Sequence, residues 1–332
     1  MRNLRVAKFG GTSMGSAEAL WSAARILASD PLSRLAVVSA TSGTTNQLLQ
    51  LAEAEFQGDR KTGDALVNTI CQRHMALAKE TGVVVASFPE LFRELEELQR
   101  AMRDAAASGQ RHNARLVDHL LSLGERLASE VFAAVLRAEG RNSRTFDARR
   151  VIRTDSLFGR AEPDPRAIES LARQVLLPEL EKQEVLVTQG FIGSASGGGT
   201  TTLGRGGSDY SAALFGEALQ AESVWIWTDV SGVFTMDPGI VKNANRIPEL
   251  SFQEAAELAN FGAKVLHPAT LLPAMRAGIP VFVGNTFRPE QGGTWIRSTT
   301  ESQPLARAVA IRKRQTLITV TSLRMLNAQG FL

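Results

Sequence analysis

The feature that most constrains this chain is a repeated alternation. Short runs rich in Val, Ile and Ala, each closing on small or hydroxyl residues, are separated by stretches with helical periodicity. Leu4 to Phe9 reads as a strand ending in Gly10-Gly11-Thr12-Ser13, with a helix from about Ser16 to Ala28 behind it. Arg34 to Ser39 repeats the pattern, and Glu184 to Thr188, Ser223 to Thr228 and Ile279 to Val283 are further runs of the same kind. Continuous apolar strands of this length are buried on both faces, and their alternation with helices predicts an α/β fold around a mostly parallel central sheet sandwiched by helices. Between about Asn46 and Glu139 the pattern is almost wholly helical, which predicts a helical insertion after the second strand.

Composition narrows the function. Hydrophobic residues make up 44% of the 332 and charged residues 21%, the profile of a chain with a real core. A net charge of +3 and 6% aromatics argue against a nucleic-acid partner. No run approaches the ~20 apolar residues that span a bilayer. A cytoplasmic protein without a membrane partner is the expectation. The lone Cys71 can form no internal disulfide, and its helical surroundings suit a small apolar residue better than a nucleophile.

In open α/β sheets, ligands bind beyond the carboxyl ends of the strands, so the residues just after each strand matter most. Lys8 closes the first strand, where an ammonium loses solvation unless an anion meets it. Gly10 and Gly11 then allow a ligand close to the backbone, although a plain strand-to-helix turn would read the same way. The stretch Gly197 to Asp209 interleaves glycines with hydroxyls, carries Arg205, and opens a helix near Ser208 that runs to Gln220, with Ser208 or Asp209 expected as its cap. Thr228-Asp229 ends another strand and could meet a base or ribose. In Phe261 to Pro268 a further lysine, Lys264, lies in an apolar segment before a Pro-started helix, and His267 suits a capping role. Two lysines, two glycine-rich helix starts and an arginine suit a polyphosphate. The P-loop, protein-kinase and dinucleotide fingerprints are all absent.

Taken together, KFGGTS (8–13), TTLGRGGSDY (201–210), WTDV (227–230) and FGAKVLHP (261–268) resemble the aspartokinases of the amino-acid-kinase fold, over about residues 4–300. The similarity is greatest to the monofunctional, lysine-pathway type. The resemblance implies ATP-dependent phosphorylation of the side-chain carboxylate of L-aspartate, giving 4-phospho-L-aspartate at the start of the lysine, threonine and methionine pathway. It implies Lys8, Asp209 and Lys264 as catalytic residues. Lys8, Gly10, Gly11, Ser13, Thr228, Asp229, Phe234 and Lys264 would bind ATP, and Ser39, Thr45, Glu125, Arg205, Gly206 and Ser208 would bind aspartate. Glu125 would hold the substrate ammonium. Mg²⁺ is implied through phosphate oxygens and water, with no protein ligand assigned.

Two departures stand out. Where the family has a tyrosine and Asp-Pro-Arg, this chain reads Phe234 and Asp237-Pro238-Gly239. Residues 1–300 read as the catalytic domain and 301–332 as a linker plus the start of an ACT regulatory domain, which the resemblance implies continues beyond Leu332. A homodimer through such domains is the family's arrangement, and feedback inhibition is expected to be absent from the piece in hand. Alternatives are a non-catalytic nucleotide-binding subunit and a kinase of the same fold acting on glutamate or another acyl substrate.

Overall fold

The structure, a computed structural model, describes residues 4–182, 184–261, 268–301, 304, 306–311 and 316. Lys264, His267 and, apart from Thr316, the ACT-like stretch 315–332 lie outside the described residues.

The chain opens with β1 (Arg5–Phe9), α1 (Ala17–Ser29) and β2 (Ser33–Val38). Four helices come next: α2 (Thr44–Gln57), α3 (Arg60–Thr81), α4 (Phe88–Ala107) and α5 (Ala114–Ala138). Beyond them lie β3 (Ser143–Phe146), β4 (Arg153–Thr154), α6 (Pro165–Leu171), α7 (Leu177–Leu180), β5 (Val185–Gln189), β6 (Ile192–Ala195) and β7 (Thr200–Thr202). The remainder is α8 (Gly207–Leu219), β8 (Ser223–Thr228), β9 (Glu249–Ser251), α9 (Phe252–Asn260), α10 (Pro268–Ala277), β10 (Val281–Asn285) and β11 (Gly293–Arg297).

Eight strands form one sheet in the order β3-β5-β2-β1-β8-β10-β11-β9, parallel at every pairing except β10 with β11. The expected architecture is therefore the observed one. All five expected strands are present, shifted by at most two residues, and Ser223–Thr228 matches at both ends. The helical insertion consists of four helices, α2 to α5. The glycine-rich segment, by contrast, is not wholly loop: β6 and β7 form an antiparallel hairpin in a second, three-stranded sheet with β4.

Burial explains the layering. Side chains of β1 alternate between two cores, with Ala7 and Phe9 against α1 and the insertion and Val6 against the α6–α10 side. Ser16 accepts from the Ala19 amide at 3.2 Å and fixes the start of α1. Helix α5 carries the longest buried stripe and lies against β3, β5 and β7.

Buried charge ties the insertion together. Glu55 on α2 is 1% exposed and accepts from Arg103 Nε at 2.7 Å and Gln99 Nε2 at 2.6 Å, both on α4. Arg103 also reaches Asp64 on α3 at 2.6 Å. Removing one partner of a buried pair strands the other charge. Arg103→Ala should lower unfolding stability in urea by about 3 kcal/mol. Arg93→Ala, which breaks the exposed Arg93–Glu97 pair at 3.9 Å, should cost under ~0.5 kcal/mol. Equal effects would remove the case for a buried clamp.

Candidate active site

The carboxyl ends of β1, β2, β5 and β8 surround a cavity of about 560 Å³. Its wall brings together Lys8, Gly10 and Gly11 from the first strand end, Ser39 and Thr45 from the second, Glu125 from α5, Arg205 to Asp209, and Thr228 with Asp229. Most of the positions nominated from sequence thus meet in a single space.

Lys8 is 7% exposed, and its ammonium lies 2.6 Å from Asp209 Oδ1. Asp209 is in the first turn of α8, where a carboxylate also suits the positive end of the helix. It does not cap that helix, and neither does Ser208. The cap residue is Gly206 in the left-handed conformation (φ 73°), with no side-chain hydrogen bond. Helix α2 starts the same way, on Gly43 at φ 85°. Two helices therefore turn N-termini free of side-chain caps toward the cavity, a donor arrangement suited to anions. Arg205 is exposed at the mouth and makes no ion pair among the described residues.

Glu125 reaches the cavity through a close approach. A Cβ on Gly124 would meet the Ala40 methyl at 2.9 Å, so only glycine lets α5 pass the β2–α2 loop at this height. Glu125 is 3% exposed as a result. Its Oε1 accepts from the Ala40 amide at 3.2 Å, while Oε2 is buried without a hydrogen-bond partner among the described residues. Burial pushes the carboxyl up to about 8, against the weaker opposing pull of that amide and of its own backbone amide.

Two nominated residues, Ser13 and Phe234, lie outside this wall, and a third, Gly10, lines it with its amide engaged. Ser13 is fully buried outside this wall, sharing a 2.7 Å hydrogen bond with Thr286 Oγ1. The Gly10 amide donates to the Trp227 carbonyl at 3.0 Å, so it is spent on the sheet, and the residue's contribution is the room it leaves beside the Lys8 ammonium. Phe234 is half-buried outside the cavity wall and bridges to Arg246. Cys71 is half-buried, and burial raises its thiol to about 11, as suits an inert residue.

Sequence reading missed Phe191 and Asp118. Phe191 lines the cavity at φ 68°, a conformation unusual for a bulky residue. Its position straight after Gly190 was the available signal. Asp118 is 1% exposed and accepts from the Gly159 amide at 2.8 Å and from the Thr202 amide and hydroxyl at 2.9 Å each. It fixes the strand that leads into Leu203 to Gly206, and burial raises its pKa despite those donors. Asp118→Ala leaves the buried Thr202 amide and hydroxyl, and the more exposed Gly159 amide, without their acceptor and should cost about 2–4 kcal/mol in urea unfolding. Thr202→Val, which removes only the hydroxyl, should cost about 1 kcal/mol. A loss below that of Thr202→Val would show that Asp118 is not the anchor.

Among the described residues, no group of three or more acidic, His or Cys side chains could hold a metal ion, and no helix is long and apolar enough to cross a membrane. Asp209 and Asp229 are the aspartates in the wall, so Mg²⁺ fits this site as an ion carried in by phosphate rather than one caged by protein.

Comparison with known proteins agrees with this geometry. The Amino acid kinase family matches residues 3–285. Lysine-sensitive aspartokinase 3 of Escherichia coli is 47% identical over all of this chain, which spans 72% of that protein. The aspartokinase of Chlamydia pneumoniae is 37% identical over 95% of this chain and 68% of its own length. The crystal structure of E. coli aspartokinase III in complex with aspartate and ADP superposes with a TM-score of 0.84 at 45% identity, covering 92% of this chain and 67% of that one. An isopentenyl phosphate kinase complex, at 12% identity and a TM-score of 0.53, shares the fold alone. The chain belongs to the amino acid kinase family, within its aspartokinase branch.

Proposed function

We propose that this chain is an aspartate kinase, transferring the γ-phosphoryl group of ATP to the side-chain carboxylate of L-aspartate. The observation that carries the reading is the meeting of Lys8, Asp209, Arg205 and Glu125 in one cavity beneath two helix N-termini. The 45% identical structure holding aspartate and ADP supports it.

Each group then has a task. Arg205, without an ion-pair partner among the described residues, receives the α-carboxylate of aspartate in a bidentate pair, and Ser208, Ser39 and Thr45 add hydroxyl contacts. Gly206 leaves the backbone open to that carboxylate. Glu125 meets the α-ammonium and so selects an amino acid over a plain dicarboxylate. The side-chain carboxylate of aspartate is already ionised at neutral pH, so no general base is required. One of its oxygens attacks the γ-phosphorus, the bond to the β,γ-bridging oxygen breaks, and ADP leaves with that electron pair. Lys8 stabilises charge spreading over the transferred group, and Asp209 holds the ammonium on target. Thr228 and Asp229 face the nucleotide, with the Asp229 carbonyl braced by Asn285 at 3.1 Å. Mg²⁺ bound to the nucleotide would neutralise phosphate charge. Gly11 belongs to the phosphate turn, and Lys264 is a second cation of the nucleotide site in this reading. A cytoplasmic setting, a linker and the start of an ACT domain over residues 301–332, and a homodimer through such domains complete the proposal.

A hydroxamate assay with Mg-ATP tests it. Aspartyl hydroxamate should form, with glutamate giving none. Lys8→Ala should lower kcat by about 10²–10³-fold. Arg205→Ala should raise the KM for aspartate by at least ~30-fold, as expected when one side of a charge-assisted pair is lost. Product from glutamate at an equal rate, or full activity in Lys8→Ala, would refute the assignment.

A further inference from the structure

We propose that Glu125 is a protonated carboxyl in the empty enzyme, and that docking of the substrate ammonium expels its proton to solvent. The inference rests on the reading of Glu125 as the ammonium's partner.

Glu125 has far more hydrogen-bonding capacity than its surroundings use. An ionised carboxylate can accept about four hydrogen bonds, and burial makes each missing partner costly. Glu125, 3% exposed, has the Ala40 amide and its own backbone amide as donors, and its Oε2 has none among the described residues. Asp118, two turns earlier on the same helix and equally buried, accepts from three donors. The difference is that Glu125 lines a cavity and Asp118 does not line it.

No neighbouring charge supplies what Glu125 lacks. Lys8 on β1 is taken by Asp209 of α8 at 2.6 Å. Arg205 is exposed at the mouth, and Asp229, after β8, adds a like charge to the same space. On α5 itself, Arg126 is committed to Glu94 at 2.6 and 2.8 Å. From α3, the ring of His74 lies 3.5 Å from the Thr41 hydroxyl and is held neutral by burial, its pKa driven down to about 4. Burial therefore dominates at Glu125, in accord with the rise to about 8.

Protons balance simply. The empty site holds a neutral carboxyl and the substrate arrives as an ammonium. The bound site holds a carboxylate against an ammonium, and one proton goes to bulk water. The ammonium itself keeps its three protons. With the carboxyl pushed up to about 8, release should approach one proton per aspartate bound at pH 6 and fall away as the pH rises through that value.

Calorimetric titration of L-aspartate into the chain, in imidazole and in Tris against a low-enthalpy buffer free of phosphate and carboxylate, reads this number from the difference in apparent enthalpy. Succinate, which has both carboxylates and no ammonium, should release no proton. Infrared difference spectra should show the C=O band of a protonated carboxyl disappearing as aspartate binds, and Glu125→Gln should lack that band. Two results overturn the proposal in distinguishable ways. Aspartate binding without proton release or band loss, while Glu125→Gln weakens aspartate at least tenfold and spares succinate, ends the coupling and leaves the ammonium contact standing. Equal aspartate affinity in Glu125→Gln ends the contact, and the coupling with it.

Discussion

An ammonium group at the end of a buried central strand is the constraint on which this site depends. Lys8 sits between two cores, with Ala7 and Phe9 packed on one side and Val6 on the other, and is itself 7% exposed. Such a charge persists only if an anion is held against it. The fold provides that anion from the first turn of α8, which crosses behind β1 and β8 and turns its N-terminus to the same cavity. Because Gly206 caps α8 through backbone conformation alone, the Asp209 carboxylate is free for Lys8 rather than engaged with its own helix. The same choice of cap keeps the helix amides oriented toward a phosphate or carboxylate.

Much of this was legible in the sequence because it comes from periodicity and local chemistry. Doubly buried strands advertise themselves as unbroken apolar runs, and a lysine or aspartate at the end of one is conspicuous. Fold class, strand order of appearance and the strand-end nomination of Lys8 came from such signals, Arg205 came from the glycine-rich stretch, and the role of Asp209 came from the family resemblance. Errors arose where local chemistry had two outcomes. Ser208 and Asp209 are good cap residues by type, yet tertiary demand for the carboxylate outweighed the cap. Ser13 carries a hydroxyl suited to phosphate, and no local pattern announces its hydrogen bond to Thr286, 273 residues away. The β6–β7 hairpin hid inside a glycine-rich segment because its strands are short and polar, and its anchor, Asp118, lies on a distant helix. No local pattern reports a partner 84 residues off.

The two carboxylates of α5 show how one helix divides its work. Asp118 and Glu125 are both nearly inaccessible, and seven residues put them on the same side of the helix. Asp118 is surrounded by donors and fixes the floor of the glycine-rich turn. Glu125 is placed as tightly, by the contact of Gly124 with Ala40, yet is left with an open oxygen. A rigid scaffold that under-supplies one buried acceptor creates a demand that a correctly shaped donor can meet. In this cavity the cations and helix N-termini attract carboxylates and phosphates of any kind. Glu125 adds to the wall a buried acceptor that calls for a positive donor. Selection of an amino acid over other anions would then reside in a residue whose burial disfavours its own charge until that donor arrives.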